Sequence, residues 1–303
     1  MPEVVRDVAT AIGSRDKRVL VISDGLKLRE GPKKDMHEHY NCISVISENT
    51  RELPVGFKSS KLELLQCTSL SSRMLDSFFE GMRELKVLDV RCMMSRWTPL
   101  SLRFLRNLRT VCLDYHLVGD ISAIGKLLNL EILSFCGSLI QGLLEEIGKL
   151  INVRLLDLRK CIYLSRISLD VISGLARLQE LYMRDSLFGN WDGEEDIGGK
   201  TKIRNASLRE LESLSNLNTL EIKIRDAKAL LPRNSRALFG NQTKYTILIG
   251  NDLRLASGMP TLNLGTCVPL EYGINWLLKN TELLCLQGEG SKDMVDELVR
   301  DGV

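Results

Sequence analysis

With 303 residues, 44% of them hydrophobic and only 5% aromatic, the chain has the aliphatic bias of a folded protein rather than a disordered or fibrous one. Its 41 basic and 39 acidic residues leave a net charge of +2, so no global field points to nucleic acid or an anionic membrane, and no apolar run is long enough to span one. Glu3, Arg6 and Asp7 stand where a secretory signal would need an apolar stretch, so the eight cysteines are expected to be reduced, small hydrophobes in a cytoplasmic chain.

Residues 1–14, with Val4, Val5, Val8, Ala9 and Ile12 at helical spacing, predict a short amphipathic helix, and Arg18-Val19-Leu20-Val21-Ile22 predicts a strand. A polar linker runs from Asp24 to His39, and at Ile43-Ser44-Val45 a repeated phrase begins. Leucine-class residues then recur as L-x-x-L-x-L: Leu62, Leu65 and Cys67; Leu85, Leu88 and Val90; Leu108, Val111 and Leu113; Leu130, Leu133 and Phe135. Val153, Leu156 and Leu158 continue the series, then Leu178, Leu181 and Met183, and after a break Leu217, Leu220 and Ile222. The middle residues fall at 65, 88, 111, 133, 156 and 181, steps of 23, 23, 22, 23 and 25, inside the range of leucine-rich repeats.

An extended segment points alternate side chains to opposite faces, so the last two apolar residues of each phrase face one interior and the residue between them faces out. No unit can bury its apolar face alone; stacked neighbours build the core. The expected fold is an α/β leucine-rich-repeat solenoid over 41–303, with a curved parallel sheet on the concave face and a helical or irregular convex face. Cys67, Cys112 and Cys285 lie in or beside strand registers, and Cys161 stands where this repeat type places Asn or Cys to satisfy turn backbone groups.

Around 187–205 the period breaks, and Gly189-Asn190-Trp191-Asp192-Gly193-Glu194-Glu195-Asp196 predicts an acidic, glycine-rich loop inserted on one face of the stack. Trp191 is expected to fold back over the apolar edges that the break uncovers, with a partner anchor as the other reading. Beyond Ile224 the repeats degenerate, but Tyr245-Thr246-Ile247-Leu248-Ile249, Thr261-Leu262-Asn263-Leu264 and Leu283-Leu284-Cys285-Leu286 still predict strands. Ser291 to Val303 is amphipathic and stops abruptly, as a cut chain would.

Ile121-Ser122-Ala123-Ile124-Gly125-Lys126-Leu127-Leu128-Asn129-Leu130 and Leu143-Leu144-Glu145-Glu146-Ile147-Gly148-Lys149-Leu150 resemble the L-x-x-x-I-G-x-L phrase of plant intracellular repeats. Met1-Pro2-Glu3-Val4-Val5-Arg6-Asp7-Val8-Ala9 resembles the segment with the Met-His-Asp motif that closes the nucleotide-binding module of plant disease-resistance receptors of the coiled-coil class. Gly189-Asn190-Trp191, Asn205-Ala206-Ser207-Leu208 and Leu220-Glu221-Ile222-Lys223-Ile224-Arg225-Asp226-Ala227 through Pro232 are similar to phrases in that family's repeat domains, so the likeness covers essentially the whole chain. The resemblance implies that residues 1–40 are the end of a nucleotide-binding module plus a linker. It also implies a repeat domain over 41–303 that senses a pathogen effector or modified host protein and restrains a nucleotide switch. Full-length relatives would bind ADP or ATP. Here the motif at Met1, Pro2 and Glu3 is degenerate, with Pro2 in place of the imidazole, and the phosphate-binding portions are absent, so the chain itself is expected to hold no cofactor.

Gly198-Gly199-Lys200-Thr201 ends like a phosphate-binding loop, but Glu194 stands where glycine is required, and Glu194, Glu195 and Asp196 would repel a phosphate. His37-Glu38-His39 spaces its imidazoles for neither H-E-x-x-H nor one helical face, so no metal is expected. No G-x-S-x-G occurs, and nothing argues for an enzyme. The glycosylation patterns Asn205-Ala206-Ser207 and Asn241-Gln242-Thr243 carry no meaning in a cytosolic chain.

The expected binding surface is the outward strip of the strands: Asp89, Arg91, Asp114 and Tyr115, then Asp157, Arg159 and Lys160, then Tyr182, Arg184 and Asp185, then Glu221 and Lys223. Arg and Tyr carry hot spots at protein interfaces, and mixed signs favour a protein partner over a polyanion. Cross-strand ion pairing on a solvated face, about 0–1 kcal/mol per pair, is the competing reading. Replacing Arg159 and Arg184 with glutamate is expected to abolish partner capture with almost no loss of stability. A stand-alone repeat adaptor or decoy is the alternative function. An ADP- or ATP-binding protein is a third reading, which calorimetry with either nucleotide would remove.

Overall fold

The L-x-x-L-x-L phrases become short parallel strands, and the chain is a leucine-rich-repeat solenoid with two compact units, Met1–Ile140 with Lys149–Val153, and Gln141–Gly148 with Arg154–Val303. The computed structural model describes residues 19–22, 40–46, 59–68, 79, 81–91, 100–191, 194–197, 201–225, 229, 244–249, 261–264 and 281–286. The helix expected at 1–14, the degenerate motif at Met1, Pro2 and Glu3, the linker with His37 and His39, and the segment from Ser291 lie outside the described residues.

In the first unit β1 (Val19–Ile22), β2 (Cys42–Ile46), β3 (Leu64–Thr68), β4 (Val87–Arg91), β5 (Thr110–Cys112) and β6 (Ile132–Ser134) are hydrogen-bonded in chain order. The middle residues of successive phrases stand opposite one another, so Ile43, Leu65, Leu88, Val111 and Leu133 form one register line. All five are buried, as the two-residue period requires of the face turned to the core. β1, expected ahead of the repeats, pairs in parallel with β2, so the sheet begins one strand earlier than the expected boundary at 41.

Two residues past four of the phrases the backbone turns through the left-handed region: φ is +60° at Tyr115, +69° at Gly137, +58° at Lys160 and +61° at Asp185. Only one of these is glycine, and there the reason is spatial as well. A Cβ on Gly137 would stand 2.4 Å from the Tyr115 ring. The next position holds His116 and Ser138, both buried. The Ser138 hydroxyl donates to the Leu113 carbonyl and accepts from the His116 amide, while His116 Nε2 lies 2.8 Å from the Val90 carbonyl. These side chains join consecutive turns by filling backbone hydrogen-bonding positions that a strand-to-turn reversal leaves open.

Burial pushes the His116 imidazole down to about 4, partly opposed by the Val90 hydrogen bond. An unfolded chain takes up that proton near 6.5, so the stability present above that pH is lost as pH falls from 6.5 towards 4. The loss from this one group should be on the order of 3 kcal/mol. Urea titrations across that range should show a shallower pH slope for His116→Asn than for the wild type. Equal slopes would place the acid sensitivity elsewhere.

In the second unit β7 (Gly142–Leu143) and β9 (Arg166–Ile167) make a small parallel pair. β8 (Leu155–Asp157), β10 (Glu180–Tyr182), β13 (Thr219–Ile224), β14 (Lys244–Ile249), β15 (Thr261–Leu264) and β16 (Leu283–Leu286) follow in parallel. Leu156, Leu181, Leu220 and Tyr245 form a buried register line of this unit, so the degenerate phrases still supply strands. The return segments are short, among them a single α-helical turn, α1 (Val171–Gly174), and a 3-10 turn over Leu208–Ser213. Ser207 caps the latter, and buried Glu210 joins the two: one oxygen accepts the Ser207 amide at 2.8 Å, the other the amides of Ile172 and Ser173 at 2.9 and 3.1 Å. The capping box thus reaches the start of the neighbouring turn, where backbone amides are otherwise open.

The insertion differs from the expected loop. β11 (Glu194–Ile197) and β12 (Thr201–Arg204) form an antiparallel ribbon whose register sets Glu194 opposite Arg204 and Asp196 opposite Lys202. Thr201-Lys202-Ile203-Arg204 has the alternation of a strand. Thr201, the last residue of the apparent phosphate-binding phrase, therefore opens a strand rather than a helix. Trp191 does fold back: it is 3% exposed, packs edge-on to Phe188 with centroids 5.1 Å apart, and donates from Nε1 to the Lys223 carbonyl at 2.8 Å. Asn205 is buried as well, which bars a glycan from it, whereas Asn241 lies outside the described residues.

Candidate functional site

The residue that separates the two inward leucines of each strand lies on the open face of the sheet, and the two units treat that face differently. In the first unit it carries a polar ladder. The Ser44 hydroxyl donates to Gln66 at 2.8 Å, Gln66 Nε2 donates to Asp89 at 3.1 Å, and Arg91 donates to Asp89 from Nε at 2.7 Å and from Nη2 at 3.0 Å. Asp114 accepts from the Ser134 hydroxyl and from the Cys136 amide at 3.1 Å. Asp89 and Asp114 are buried, so of the four residues expected to bind there, Arg91 is half-buried and Tyr115 alone is exposed.

In the second unit Asp157, Tyr182 and Glu221 stand side by side across β8, β10 and β13. Two residues further along each strand direction come Arg159, Arg184 and Lys223, so an acidic row with one tyrosine runs beside a basic row. Asp157 is buried and accepts both the Arg159 amide and its guanidinium, with Nε 3.0 Å from Oδ1. That guanidinium also lies 4.8 Å over the Tyr182 ring, a cation–π contact. The Tyr182 hydroxyl in turn donates to Glu180, and burial first, then that hydrogen bond, push its ionisation well above the usual range.

Further charges surround this cluster. Arg184 approaches Asp185 only to 3.9 Å, and Lys160 is exposed on its left-handed turn. Glu221 is half-buried, one of its oxygens is enclosed without a hydrogen bond, and burial raises its carboxyl above the ordinary range against the pull of Arg184 and Arg159. The aliphatic stem of Lys223 packs beside Gly189. The second unit thus sets a fixed Asp157–Arg159–Tyr182–Glu180 cluster with Lys160, Arg184, Glu221 and Lys223 around it. Glu180 was not among the expected residues; its position two before Tyr182 on one strand face was the available signal.

Four of the described cysteines are buried too deeply to act as nucleophiles. Cys42, Cys67, Cys112 and Cys161 are buried thiols outside any disulfide, and desolvation pushes Cys42 up to about 11 and Cys67 higher still. Among the described residues no helix is long and apolar enough to cross a membrane.

Comparison with known proteins agrees with this reading of the fold. No family model matches the chain. A disease resistance protein of Arabidopsis thaliana is 26% identical over 320 residues, covering 99% of this chain, which spans 31% of that relative's length. The leucine-rich-repeat protein LIC12759 of Leptospira interrogans superposes with a TM-score of 0.55 at 16% identity, over 84% of this chain and 68% of that one. The leucine-rich-repeat domain of the type III effector XopL superposes at 0.53 and 19% identity, over 82% of this chain and 81% of that domain. The chain is a leucine-rich-repeat protein, similar along almost its whole length to part of a plant disease resistance protein.

Proposed function

We propose that the open face of the second unit is the recognition surface of a plant immune receptor, binding a pathogen effector or a host protein that an effector has modified. The observation that carries this reading is the Arg159–Tyr182 stack with the weakly paired Arg184 and the exposed Lys160 beside it. A rigid aromatic already ordered by a cation needs little further ordering when a partner covers it, and charges of both signs select one partner's pattern over another's. In this reading the chain works in the cytoplasm, holds no cofactor and performs no chemistry. The nucleotide module that it restrains would belong to the longer protein, as the 31% coverage of its relative supports.

Arg184→Glu is the clean test, because its pairing is weak and its charge faces the patch. Tagged wild-type and variant chains would be recovered from pathogen-challenged leaf tissue and their partners compared by quantitative mass spectrometry. A specific partner should fall by about tenfold or more, while stability stays within about 0.5 kcal/mol of the wild type. Partner sets that are indistinguishable would remove this face from recognition.

A further inference from the structure

A second surface lies on the first unit, at the turns that lead into its strands. Asn107, Asn129 and Asn152 hold these turns in register, each donating from Nδ2 at 2.9 Å to the carbonyl of Arg83, Arg106 and Leu128 respectively. Successive turns are therefore about one strand spacing, ~4.8 Å, apart. Two residues before each repeat's first leucine-class residue the row reads Arg83, Arg106, Leu128, Ile151; two residues earlier it reads Gly81, Phe104, Lys126, Lys149.

This surface alternates bare hydrocarbon with positive charge. Phe104, Leu128 and Ile151 are 54%, 56% and 55% exposed, high for side chains of that size, and the Arg103 guanidinium lies 4.8 Å over the Phe104 ring. Arg83, Arg103, Arg106, Lys126 and Lys149 are exposed and make no ion pair among the described residues. Of the acids nearby, Glu63 is paired with Lys86 and Glu131 with Arg109. Between Phe79, Arg83, Phe104 and Arg106 the surface sinks into a depression of about 640 Å³.

We propose that this edge of the first unit docks an acidic protein segment carrying one apolar anchor side chain. Guanidinium forks match carboxylates in pairs, the lysines extend the positive field, and the depression accepts the anchor while Leu128 and Ile151 cover its flank. An anionic membrane would share the charge but would not use a depression beside two arginines. The surface is separate from the one assigned above and stands or falls independently of it.

The full chain would be panned against phage-displayed short random peptides. The selected sequences should place an aromatic or aliphatic residue among aspartates and glutamates. Affinity for them should fall by about tenfold or more in the double variant Arg83→Glu/Arg106→Glu, and separately in Leu128→Ser/Ile151→Ser, while Arg184→Glu leaves it unchanged. No enrichment, enrichment of basic peptides, or binding that survives both double variants would overturn the proposal. Co-sedimentation with phosphatidylserine vesicles that both double variants abolish, with no acidic peptide selected, would give the surface to a membrane and overturn it equally.

Discussion

Arg159→Glu should lower the free energy of unfolding by about 2–3 kcal/mol, because it strips the buried Asp157 carboxylate of its half-buried cation. The sequence pattern alone led to the opposite expectation, that glutamate here would be almost neutral. Geometry decides between them. Asp157 is 2% exposed and its carboxylate is held by the Arg159 guanidinium and amide, so a glutamate would leave one buried charge unpaired and bring a second of the same sign beside it. The Tyr182 ring would lose its cation at the same time.

Denaturant titration of three chains measures this. Arg159→Glu alone should show the full loss, and adding Asp157→Asn to it should restore about 2 kcal/mol, because the neutral amide no longer repels the new carboxylate. Arg184→Glu should change stability little. An Arg159→Glu loss under about 1 kcal/mol would mean that water reaches Asp157 and that the pair is worth no more than a surface salt bridge. The consequence for function is practical: reduced partner binding by an Arg159 variant would not separate recognition from folding, whereas Arg184 does so.

The core was legible in the residues because a two-residue alternation repeated every 22 to 25 positions has few physical solutions, and the register lines through Leu65, Leu88, Val111 and Leu133 follow it directly. Backbone handedness was only partly so: of the four left-handed positions after the phrases, Gly137 and, more weakly, Asp185 are residue types that favour a positive φ, whereas Tyr115 and Lys160 carry no sign of it. The ribbon at 194–204 was hidden because Glu194-Glu195-Asp196 has poor strand propensity by itself, and the pairing with Thr201–Arg204 that overrides this is visible only in three dimensions. The candidate site was half legible. Residue types on the open face could be listed, but self-pairing could have been read from Asp89-Val90-Arg91 and Asp157-Leu158-Arg159, whose acid and base stand two apart on one strand face.

Gly174→Ala should be as damaging as the loss of the buried ion pair, and for a reason that the I-G-x-L phrase conceals. The glycine of that phrase, Gly148, lies against the next return segment, so that a Cβ on Gly174 would stand 2.2 Å from the Gly148 carbonyl oxygen and 2.9 Å from its carbon. A Cβ on Gly148 would in turn meet the Val171 Cα at 3.1 Å. Both obstacles are backbone, so no rotamer change relieves them, and α1 would have to move away from Ile147–Gly148 to admit one methyl group. Overpacking of this kind costs about 1–3 kcal/mol in a core that can adjust and more in one that cannot. We expect about 3 kcal/mol, together with a broadened unfolding transition, because stacked repeats are coupled mainly through nearest-neighbour contacts. Gly81→Ala separates space from conformation: its Cβ would meet nothing within 4 Å, but its φ of +99° makes any side chain strained, so it should cost only about 1 kcal/mol and leave the transition sharp. A Gly174→Ala chain that unfolds like the wild type would show that the two return segments can separate at no cost, and that close backbone approach is not what glycine provides in this phrase.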